Sequence, residues 1–592
     1  MIKLLKNLKP YWLSIIGVIV FVFLQSLSEL YLPTLMSDIV DTGVVNGDVN
    51  YIIRIGGWMI LIAVIAMISS VLGSYLAAKV ATGFGRDLRT KVFTKVESFS
   101  LEEFDEKGTA SLIVRTTNDI TQIQQLAVTM LRMFLRAPLL FIGGIIMAVL
   151  KDAKLSLVLV VILPILTIAI LLIAKKGMSL FKSMQIKLDK LNLVLREYLT
   201  GIRVIRAFNR EVYEKKRFHK ANLDLTETAK KVNILMAILI PLMMLILNLT
   251  IVAIIWFGSI RINNGGMQVG DLMAFIQYAS QIMFSLIMVS MMFIMVPRAS
   301  VSAIRINEVL DVEPKIKDPM IPKESKSEIE NGIKSAEGII SEKDKRGYLE
   351  FDEVSFCYQG AEEPVIKKIS FRTNPGELTA IIGSTGSGKS TLINLIPRFY
   401  DVTSGRILID GVDIRELTQE KLRAKIGLVP QIAVLFTGTI AENISFGNDN
   451  LSRDEMIRAA EIAQASEFIS TMKQVYDSQI AQGGTNISGG EKQRLAIARA
   501  LAKHPEIYIF DDSFSALDFK TEAKLRVAIK KETKNDTVLI IAQRVTTVMN
   551  ADQIIVLDEG KIVGMGKHQD LIRTCKVYRE IVASQLSEEE LT

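Results

Sequence analysis

The residues that most directly predict a chemical function form a glycine-rich loop. This loop lies between a predicted strand and a predicted helix. The strand candidate is the apolar run Leu378–Ile382, and a helical pattern follows the loop. The loop fits the spacing Gly-x-x-x-x-Gly-Lys-Ser/Thr, in which small residues let backbone N–H groups surround phosphate oxygens. We predict that nucleotide phosphate groups are bound by Gly383, Ser384, Thr385, Gly386, Ser387, Gly388, Lys389, Ser390 and Thr391.

Two side chains of this loop add charge and metal chemistry. The ammonium group of Lys389 can neutralise the β- and γ-phosphates, and the hydroxyl of Ser390 can ligate Mg²⁺. The helix that begins here adds a dipole whose positive end favours an anion. The loop therefore predicts a site for a nucleoside triphosphate with Mg²⁺.

A carboxylate at the end of a second apolar strand is a further candidate metal ligand. The strand candidate Ile507–Phe510 leads to Asp511, which is suited to coordinating Mg²⁺ through water near the γ-phosphate. An ordinary strand end with a solvated aspartate is the alternative. The strand alone does not decide between these two interpretations.

A serine followed by two glycines opens another predicted helix, Lys492–Lys503, between these two elements. Ser488, Gly489, Gly490 and Glu491 stand at its start, which is a second place where an anion can bind. This segment resembles the signature motif of ATP-binding cassette (ABC) ATPases. Few other families combine that motif with a phosphate loop upstream and a strand aspartate downstream. The whole chain resembles an ABC exporter half-transporter of the multidrug-exporter type.

The resemblance implies roles for further residues. Tyr358 corresponds to the aromatic residue that stacks on adenine, and Gln431 corresponds to the glutamine near Mg²⁺ that also contacts the membrane domain. Ser515 and Asp518 correspond to the D-loop. In this family two ATPase domains close head to tail, with ATP between the phosphate loop of one and the signature motif of the other. One ATPase domain per chain therefore implies a second half-transporter as partner, with ATP and Mg²⁺ as cofactors.

Two positions depart from the family pattern. The residue after Asp511 should be a glutamate that polarises the attacking water, but it is Asp512, and the switch histidine is replaced by Gln543. The shorter aspartate withdraws its carboxylate by over ~1 Å, and a misplacement of that size can lower a rate by ~10²-fold. Glutamine cannot carry a proton or a positive charge as histidine can. We predict that this chain binds ATP at an impaired catalytic site.

The signature motif is nearly standard, although Glu491 stands where glutamine is commoner. An impaired own site combined with a usable signature resembles the degenerate subunit of a heterodimeric exporter, in which hydrolysis occurs mainly at the partner's site. A homodimer that tolerates both replacements and hydrolyses ATP slowly is the alternative. An ATP-gated or regulatory subunit and an importer built on the exporter fold are further alternatives.

Six long apolar runs precede the ATPase half, near residues 13–36, 56–78, 131–150, 155–174, 235–260 and 272–296. Each approaches or exceeds the ~20 residues that cross ~30 Å of hydrocarbon as a helix. A buried core helix is a poor explanation for six such runs in succession. Lysine and arginine cluster in 79–130 and 175–233, so we place these segments, both termini and the ATPase domain in the cytoplasm. We expect the bilayer to be the plasma membrane of a bacterial cell.

The elements around these motifs define the predicted architecture. The two cytoplasmic segments are typical of membrane helices that continue beyond the bilayer and are joined by crossing pieces near 101–108 and 207–214. We predict a polytopic α-helical transmembrane domain over 1–312, a charged, mobile linker over 313–347 and an α/β P-loop ABC nucleotide-binding domain over 348–592.

Composition argues against several other classes of protein. Hydrophobic residues make up 49% of the 592, which is too apolar for an ordinary soluble protein. The net charge of +7 is explained by cations that flank the membrane runs, so we expect no nucleic-acid partner. Three dispersed histidines and two cysteines argue against a histidine metal site and a disulfide framework.

The membrane half gives weak information about the cargo. Methionine-rich fifth and sixth runs suit varied hydrophobic or amphipathic compounds, drug-like or lipid-like, but helix packing or lipid contact is the preferred explanation for them. Glu29, Arg132 and Arg136 are ionisable residues at or near membrane depth, which makes them functional candidates. The arginines could instead extend to the cytoplasmic boundary, and Glu29 could pair with the partner chain.

Overall fold

The computed structural model describes residues 2–323 and 346–585, and the chain divides into two compact units. The first unit is Met1–Ser98 with Lys107–Val312, and the second is Phe99–Glu106 with Glu313–Thr592. Residues 324–345, which are most of the predicted linker, lie outside the described part of the chain.

The first unit contains six helices that are long and apolar enough to cross a membrane, as the sequence predicts. We number them membrane helices one to six: Lys3–Val44, Val49–Glu97, Thr109–Lys151, Leu157–Thr200, Glu211–Asn263 and Val269–Leu310. At 1.5 Å per residue, the fifth helix of 53 residues is roughly 80 Å long, far more than the ~30 Å of a hydrocarbon core. The helices therefore continue well beyond the apolar runs.

Packing inside this unit accounts for part of the methionine content. Met243 and Met283 are buried against Leu166 and Ile170, so helix packing explains these two. Met244, by contrast, is 56% exposed and adds to the exposed apolar surface of the helices. Such a surface suits contact with lipid.

Short helices join the long ones at one end of the bundle. Leu101–Lys107 follows the second membrane helix, at the position predicted for the first crossing. Ile202–Ala207 follows the fourth, and the fifth begins at Glu211, so the predicted second crossing over 207–214 includes the start of that helix.

The second unit is built on three sheets. The strands are β1 Leu349–Phe356, β2 Ile366–Thr373, β3 Leu378–Gly383, β4 Ser404–Ile409, β5 Val412–Asp413, β6 Ile426–Val429, β7 Gly438–Thr439, β8 Gln479–Ile480, β9 Ile507–Asp511, β10 Thr537–Ile541, β11 Gln553–Asp558 and β12 Lys561–Gly566. The six-stranded sheet has the order β12-β11-β3-β10-β9-β6 and is parallel apart from β12. An antiparallel sheet has the order β2-β1-β4-β5, and β7 pairs with β8.

Helices cover both faces of the parallel sheet, which explains why its strands are nearly continuous apolar runs. They are Lys389–Leu395, Gln419–Ala424, Ile440–Ser445, Arg453–Ile462, Ser466–Thr471, Gly489–Ala502, Phe519–Glu532, Val545–Val548, His568–Thr574 and Lys576–Ala583. The helix after β3 buries Leu392, Ile393 and Leu395 in one core with side chains of both larger sheets. This packing fixes the start of that helix at the end of β3.

The strand order decides which loops meet. Strands β3, β10, β9 and β6 are consecutive neighbours and parallel, so their carboxyl ends share one edge of the sheet. In open α/β sheets this edge is where ligands bind. Asp511 ends β9, and the phosphate loop, Gln543 and Gln431 come at or just after the ends of β3, β10 and β6, so the fold places them together.

Two segments outside the sheets belong to the same unit. The first part of the predicted linker is held on its surface, because the backbone N–H of Lys323 donates to the carbonyl of Glu416 at 3.0 Å. The short helix Leu101–Lys107 contributes as well. Its Glu103 accepts from the Lys315 backbone N–H at 3.0 Å, and Tyr400 donates to Asp105 at 3.2 Å.

Candidate functional site

The loop after β3 follows a backbone path that requires glycine. Gly386 and Gly388 have φ values of +85° and +98°, in the left-handed region that residues with a Cβ rarely adopt. A Cβ on Gly388 would also lie 2.8 Å from Cδ1 of Ile366. At Gly383 a Cβ would collide with the carbonyl oxygen of Leu557. The glycines predicted from spacing are therefore required by geometry.

Lys389 is held by this loop. Its Nζ donates to the carbonyl oxygens of Gly383 at 2.8 Å and Ser384 at 2.7 Å. Burial lowers the pKa of Lys389, and the negative charges of Asp512 and Asp511 oppose that shift. The lysine is therefore a desolvated cation that gains from nearby anions.

A cavity of about 400 Å³ opens at the shared strand edge. Ten of the predicted site residues line it, and they come from four separate segments of the chain: Thr385, Gly386, Gly388, Lys389, Ser390, Thr391, Gln431, Asp511, Asp512 and Gln543. Val365 and Ile541, which sequence reasoning missed, complete the wall. Neither carries a chemical signal, since each is one apolar residue among many.

Asp511 is the most perturbed carboxyl group in this cavity. Burial, followed by the charge of Asp512, raises the pKa of Asp511 to about 6, while Lys389 and a hydrogen bond with Ser390 act to lower it. A bound cation would relieve this cost. The carboxylate, the Ser390 hydroxyl and the amide oxygen of Gln431 are hard oxygen donors of the kind Mg²⁺ prefers, so these residues fit that ion.

Asp512 and Gln543, the two departures from the family pattern, contact each other directly. Nε2 of Gln543 donates to Oδ2 of Asp512 at 2.9 Å, and Nε2 of Gln431 lies 3.4 Å from the same oxygen. Asp512 has a positive φ of 45°, and its backbone N–H donates to Ile541 at 2.9 Å. Burial raises the pKa of Asp512 and hydrogen bonds from Gln431 and Gln543 lower it, with burial dominating.

The switch segment is also held from the carboxyl-terminal side, which sequence reasoning missed. Nε2 of Gln585 donates to the carbonyl of Gln543 at 2.8 Å, and its Oε1 accepts from the Val545 backbone N–H at 2.8 Å. Gln585 lies 42 residues from Gln543 in sequence and belongs to no motif. Only the fold reveals that it positions Gln543.

The remaining nucleotide-site candidates lie next to this cavity. The hydroxyl of Tyr358 is 3.0 Å from that of Thr391, and the two rings of Tyr358 and Tyr400 meet edge to face at 5.5 Å. Ser515 donates through Oγ to the carbonyl of Asp512 at 2.8 Å. Asp518 caps the helix Phe519–Glu532 by accepting from a backbone N–H, so it has a structural role of its own.

The signature segment forms a separate anion site candidate. Its helix is Gly489–Ala502, three residues earlier than predicted, and Ser488 is its N-cap. Oε2 of Glu491 accepts from the backbone N–H and the hydroxyl of Ser488, both at 2.7 Å, which is a capping box. Burial raises the pKa of Glu491, but these hydrogen bonds outweigh it and hold the pKa below its usual value. Neither Gly489 nor Gly490, nor any other residue of this segment, is among the described residues that line the 400 Å³ cavity.

Comparisons with known proteins agree on one family. Residues 15–286 match the family model of the ABC transporter transmembrane region, and residues 366–515 match the family model of the ABC transporter. An uncharacterized ABC transporter ATP-binding protein of Bacillus subtilis is 41% identical over 588 residues, which cover 99% of each chain. A similarly described protein of Mycobacterium tuberculosis is 40% identical over 98% of this chain and 97% of its own length.

Two further relatives have more specific names. An ATP-dependent lipid A-core flippase of Pseudomonas aeruginosa is 32% identical over 99% of this chain and 96% of its own length. Among solved structures, a bacterial Atm1-family ABC exporter with ATP bound is similar with a TM-score of 0.79 and 27% identity. It covers 97% of this chain and 98% of its own.

Proposed function

This chain belongs to the ABC transporter family, and from that premise we propose that it is one subunit of a heterodimeric exporter. Its phosphate loop binds ATP at an impaired site, and its signature motif completes the competent site of a second half-transporter. The observation that carries this proposal is the contact between Asp512 and Gln543 in the phosphate cavity. The two weakened catalytic positions act on the same nucleotide.

Binding and turnover depend on different residues of this site. Lys389, Ser390 and Asp511 retain the charges and oxygen donors that bind a magnesium nucleotide, and Tyr358 stands beside Thr391 to receive the base. Mg²⁺, when bound, neutralises phosphate charge. Asp512 orients water poorly because its carboxylate is short and shared with two amide donors. Gln543 offers only a neutral hydrogen bond where histidine can offer a cation.

The membrane unit supports an integral membrane exporter. Six membrane helices and the likeness to an ABC exporter and to lipid A-core flippases favour outward movement of hydrophobic or amphipathic compounds. We propose that the two ATPase domains of the dimer close on ATP and that the short helices Leu101–Lys107 and Ile202–Ala207 transmit this closure to the membrane helices. The path for the transported compound then changes from inward-facing to outward-facing. The cytoplasmic side would carry both termini and both short helices.

Reconstitution with and without a partner tests the heterodimer. The chain is purified in nanodiscs alone, and together with a co-encoded half-transporter that has glutamate and histidine at the positions of Asp512 and Gln543. We expect slow ATPase activity from this chain alone and fast activity from the pair. Replacing the partner's glutamate should abolish turnover, whereas Asp512→Asn should have a much smaller effect. Fast hydrolysis by the chain alone would instead support a homodimer.

Restoring the family residues tests the impaired site. The double variant Asp512→Glu with Gln543→His should raise ATPase activity at this site by ~10²-fold, in line with the effect of a ~1 Å misplacement. The matched control is Asp512→Asn with Gln543→His, which supplies the histidine without a catalytic carboxylate. Equal activity of both double variants would contradict the assignment of these two positions as the cause.

A further inference from the structure

A second cavity lies inside the membrane unit, between membrane helices one, two, three and six. Its volume is about 270 Å³. Its wall combines two guanidinium groups with hydroxyl and amide groups, chiefly those of Arg132, Arg136, Gln25, Ser70, Ser74 and Thr129. Apolar side chains such as Met133 and Met288 complete it. A cavity of this composition within a membrane bundle is unusual, because the surrounding solvent is hydrocarbon.

The ionic part of this cavity lies deep in the bundle. Nη2 of Arg136 donates to both carboxylate oxygens of Glu29 at 2.7 Å, which also answers whether Glu29 pairs within the chain. Eight residues further along the first helix, Ser37 contacts Lys151 and Asp271 in a charged cluster at the end of the bundle. At 1.5 Å per residue, Glu29 lies roughly 12 Å below that cluster, within a ~30 Å hydrocarbon layer.

The charges in this region do not balance. Glu29 compensates Arg136, and Gln25 donates a further hydrogen bond to Glu29 at 3.0 Å. Arg132, one helical turn away, is exposed, and it has no ion-pair or hydrogen-bond partner within residues 2–323 and 346–585. The buried Nε of Arg136 also has no hydrogen-bond partner there. The cavity therefore carries one positive charge without a counter-ion, and one buried N–H donor without an acceptor, which is costly to leave unpaired.

We infer that this cavity binds the anionic headgroup of an amphipathic cargo, either a carboxylate or a phosphate monoester. The inference rests on the proposed export function and specifies its substrate class. The ion pair between Glu29 and Arg136 gives Arg132 no counter-ion. An anion between the two arginines balances the charge, and the hydroxyl groups of Ser70 and Ser74 stand on the same wall. The cavity is smaller than a typical ligand pocket, so it holds the headgroup while the alkyl chain extends along the helices.

Equilibrium binding without nucleotide tests this site independently of ATP hydrolysis. The full-length transporter is placed in nanodiscs of zwitterionic lipid and titrated with radiolabelled dodecyl phosphate. Dodecyl maltoside and dodecyltrimethylammonium, which have the same alkyl chain with neutral and cationic heads, serve as comparisons. We expect saturable binding of the phosphate and at least tenfold weaker binding of the other two. Equal binding of all three would overturn the inference.

Two substitutions are expected to change dodecyl phosphate affinity in opposite directions, and together they test whether this cavity is the binding site. Arg132→Gln should weaken dodecyl phosphate binding on the order of tenfold, the usual effect of losing one charged hydrogen bond, and Arg132→Lys should recover part of it. Glu29→Gln frees Arg136 from its counter-ion and should tighten binding, although it removes an ion pair. The matched control is Arg196→Gln, an exposed arginine of the same unit outside the cavity. No change with Arg132→Gln, or weaker binding with Glu29→Gln in a protein of unchanged thermal stability, would overturn the inference.

The anion could come from a membrane lipid or from an amphiphile in the cytoplasm. Nanodiscs with phosphatidylglycerol separate the two sources, because a lipid occupant should compete with dodecyl phosphate and a cytoplasmic one should meet no competition. Both results support an anion site, and they differ only in its source. These titrations use no ATP, so they stand even if the lone chain proves to be a fast ATPase.

Discussion

The two helix starts that can face phosphate in this chain are built differently. The helix Lys389–Leu395 is preceded by Gly388 in a left-handed conformation, with no side chain on its first N–H groups. The helix Gly489–Ala502 is capped by Ser488, whose backbone N–H and hydroxyl are already bonded to the Glu491 carboxylate. The first start is open to an anion, and the second carries an anion of its own.

The two helix starts also differ in which residues of the chain surround them. Around the open start lie Asp511, Asp512 and Gln543, which line the same cavity as the phosphate loop. The signature start has no such neighbours on the wall of the phosphate cavity. In the proposed heterodimer, its exposed backbone would meet a nucleotide held by the second half-transporter. Its Glu491 charge then opposes the incoming phosphate.

The largest expected effect comes from removing the cation of the open start. Lys389→Ala should lower ATP affinity of this chain about 10²-fold, since charged hydrogen bonds to phosphate are lost together. The measurement is photocrosslinking of radiolabelled ATP to this subunit. Lys530→Ala, an exposed lysine of the same unit, is the control and should label normally. Undiminished labelling of Lys389→Ala would place ATP elsewhere.

A substitution at the signature start should act only across the dimer. A Cβ on Gly489 would have nothing within 4 Å in this chain, so Gly489→Ala should leave its thermal stability and its own ATP labelling unchanged. We expect roughly a tenfold loss of ATPase activity in the heterodimer, because the new methyl group would meet the partner's nucleotide. A loss of activity together with a loss of stability would mean that the glycine matters within the chain instead.

Removing the negative charge of Glu491 should have a smaller effect, and it should strengthen ATP-dependent association rather than weaken activity. Glu491→Gln keeps a side chain that can complete the capping box but removes a negative charge whose pKa is already low. ATP-dependent association of the two ATPase domains should therefore become a few-fold tighter, as measured by the ATP concentration for half-maximal activity. Glu455→Gln, in the similar capping box of the helix Arg453–Ile462, is the matched control.

The smallest effect concerns Asp511 when nucleotide and Mg²⁺ are removed. Its pKa is raised to about 6 in the fold, so between that value and its ordinary pKa of 3.8 the folded chain binds a proton that the unfolded chain does not. This group therefore makes the apo protein more stable as the pH falls from 7 toward 4. Asp511→Asn should flatten that part of the pH profile in thermal unfolding and raise stability slightly at pH 7. An unchanged profile would contradict the burial of this carboxyl group.

Local pattern was enough to predict most of the architecture. Apolar length alone predicts the six membrane helices, because a helix must cover a fixed thickness of hydrocarbon. The spacing of Gly383, Gly388 and Lys389 predicts the phosphate loop, because that backbone path tolerates little besides glycine at two of its turns. The signature helix begins three residues before its predicted start, and local sequence accounts for this because its cap and its N3 glutamate are only three residues apart.

Tertiary structure decided the contacts between residues that are distant in sequence. The order β3-β10-β9-β6 brings Gln431 and Gln543 to the carboxylate of Asp512, and no local pattern encodes a strand order. The pairing of Glu29 with Arg136 spans 107 residues, and no local pattern encodes it. Sequence determined which groups exist and what each can do chemically. Packing of strands and helices determined which of them share a cavity, because side-chain contacts depend on neighbours that the chain reaches only after folding.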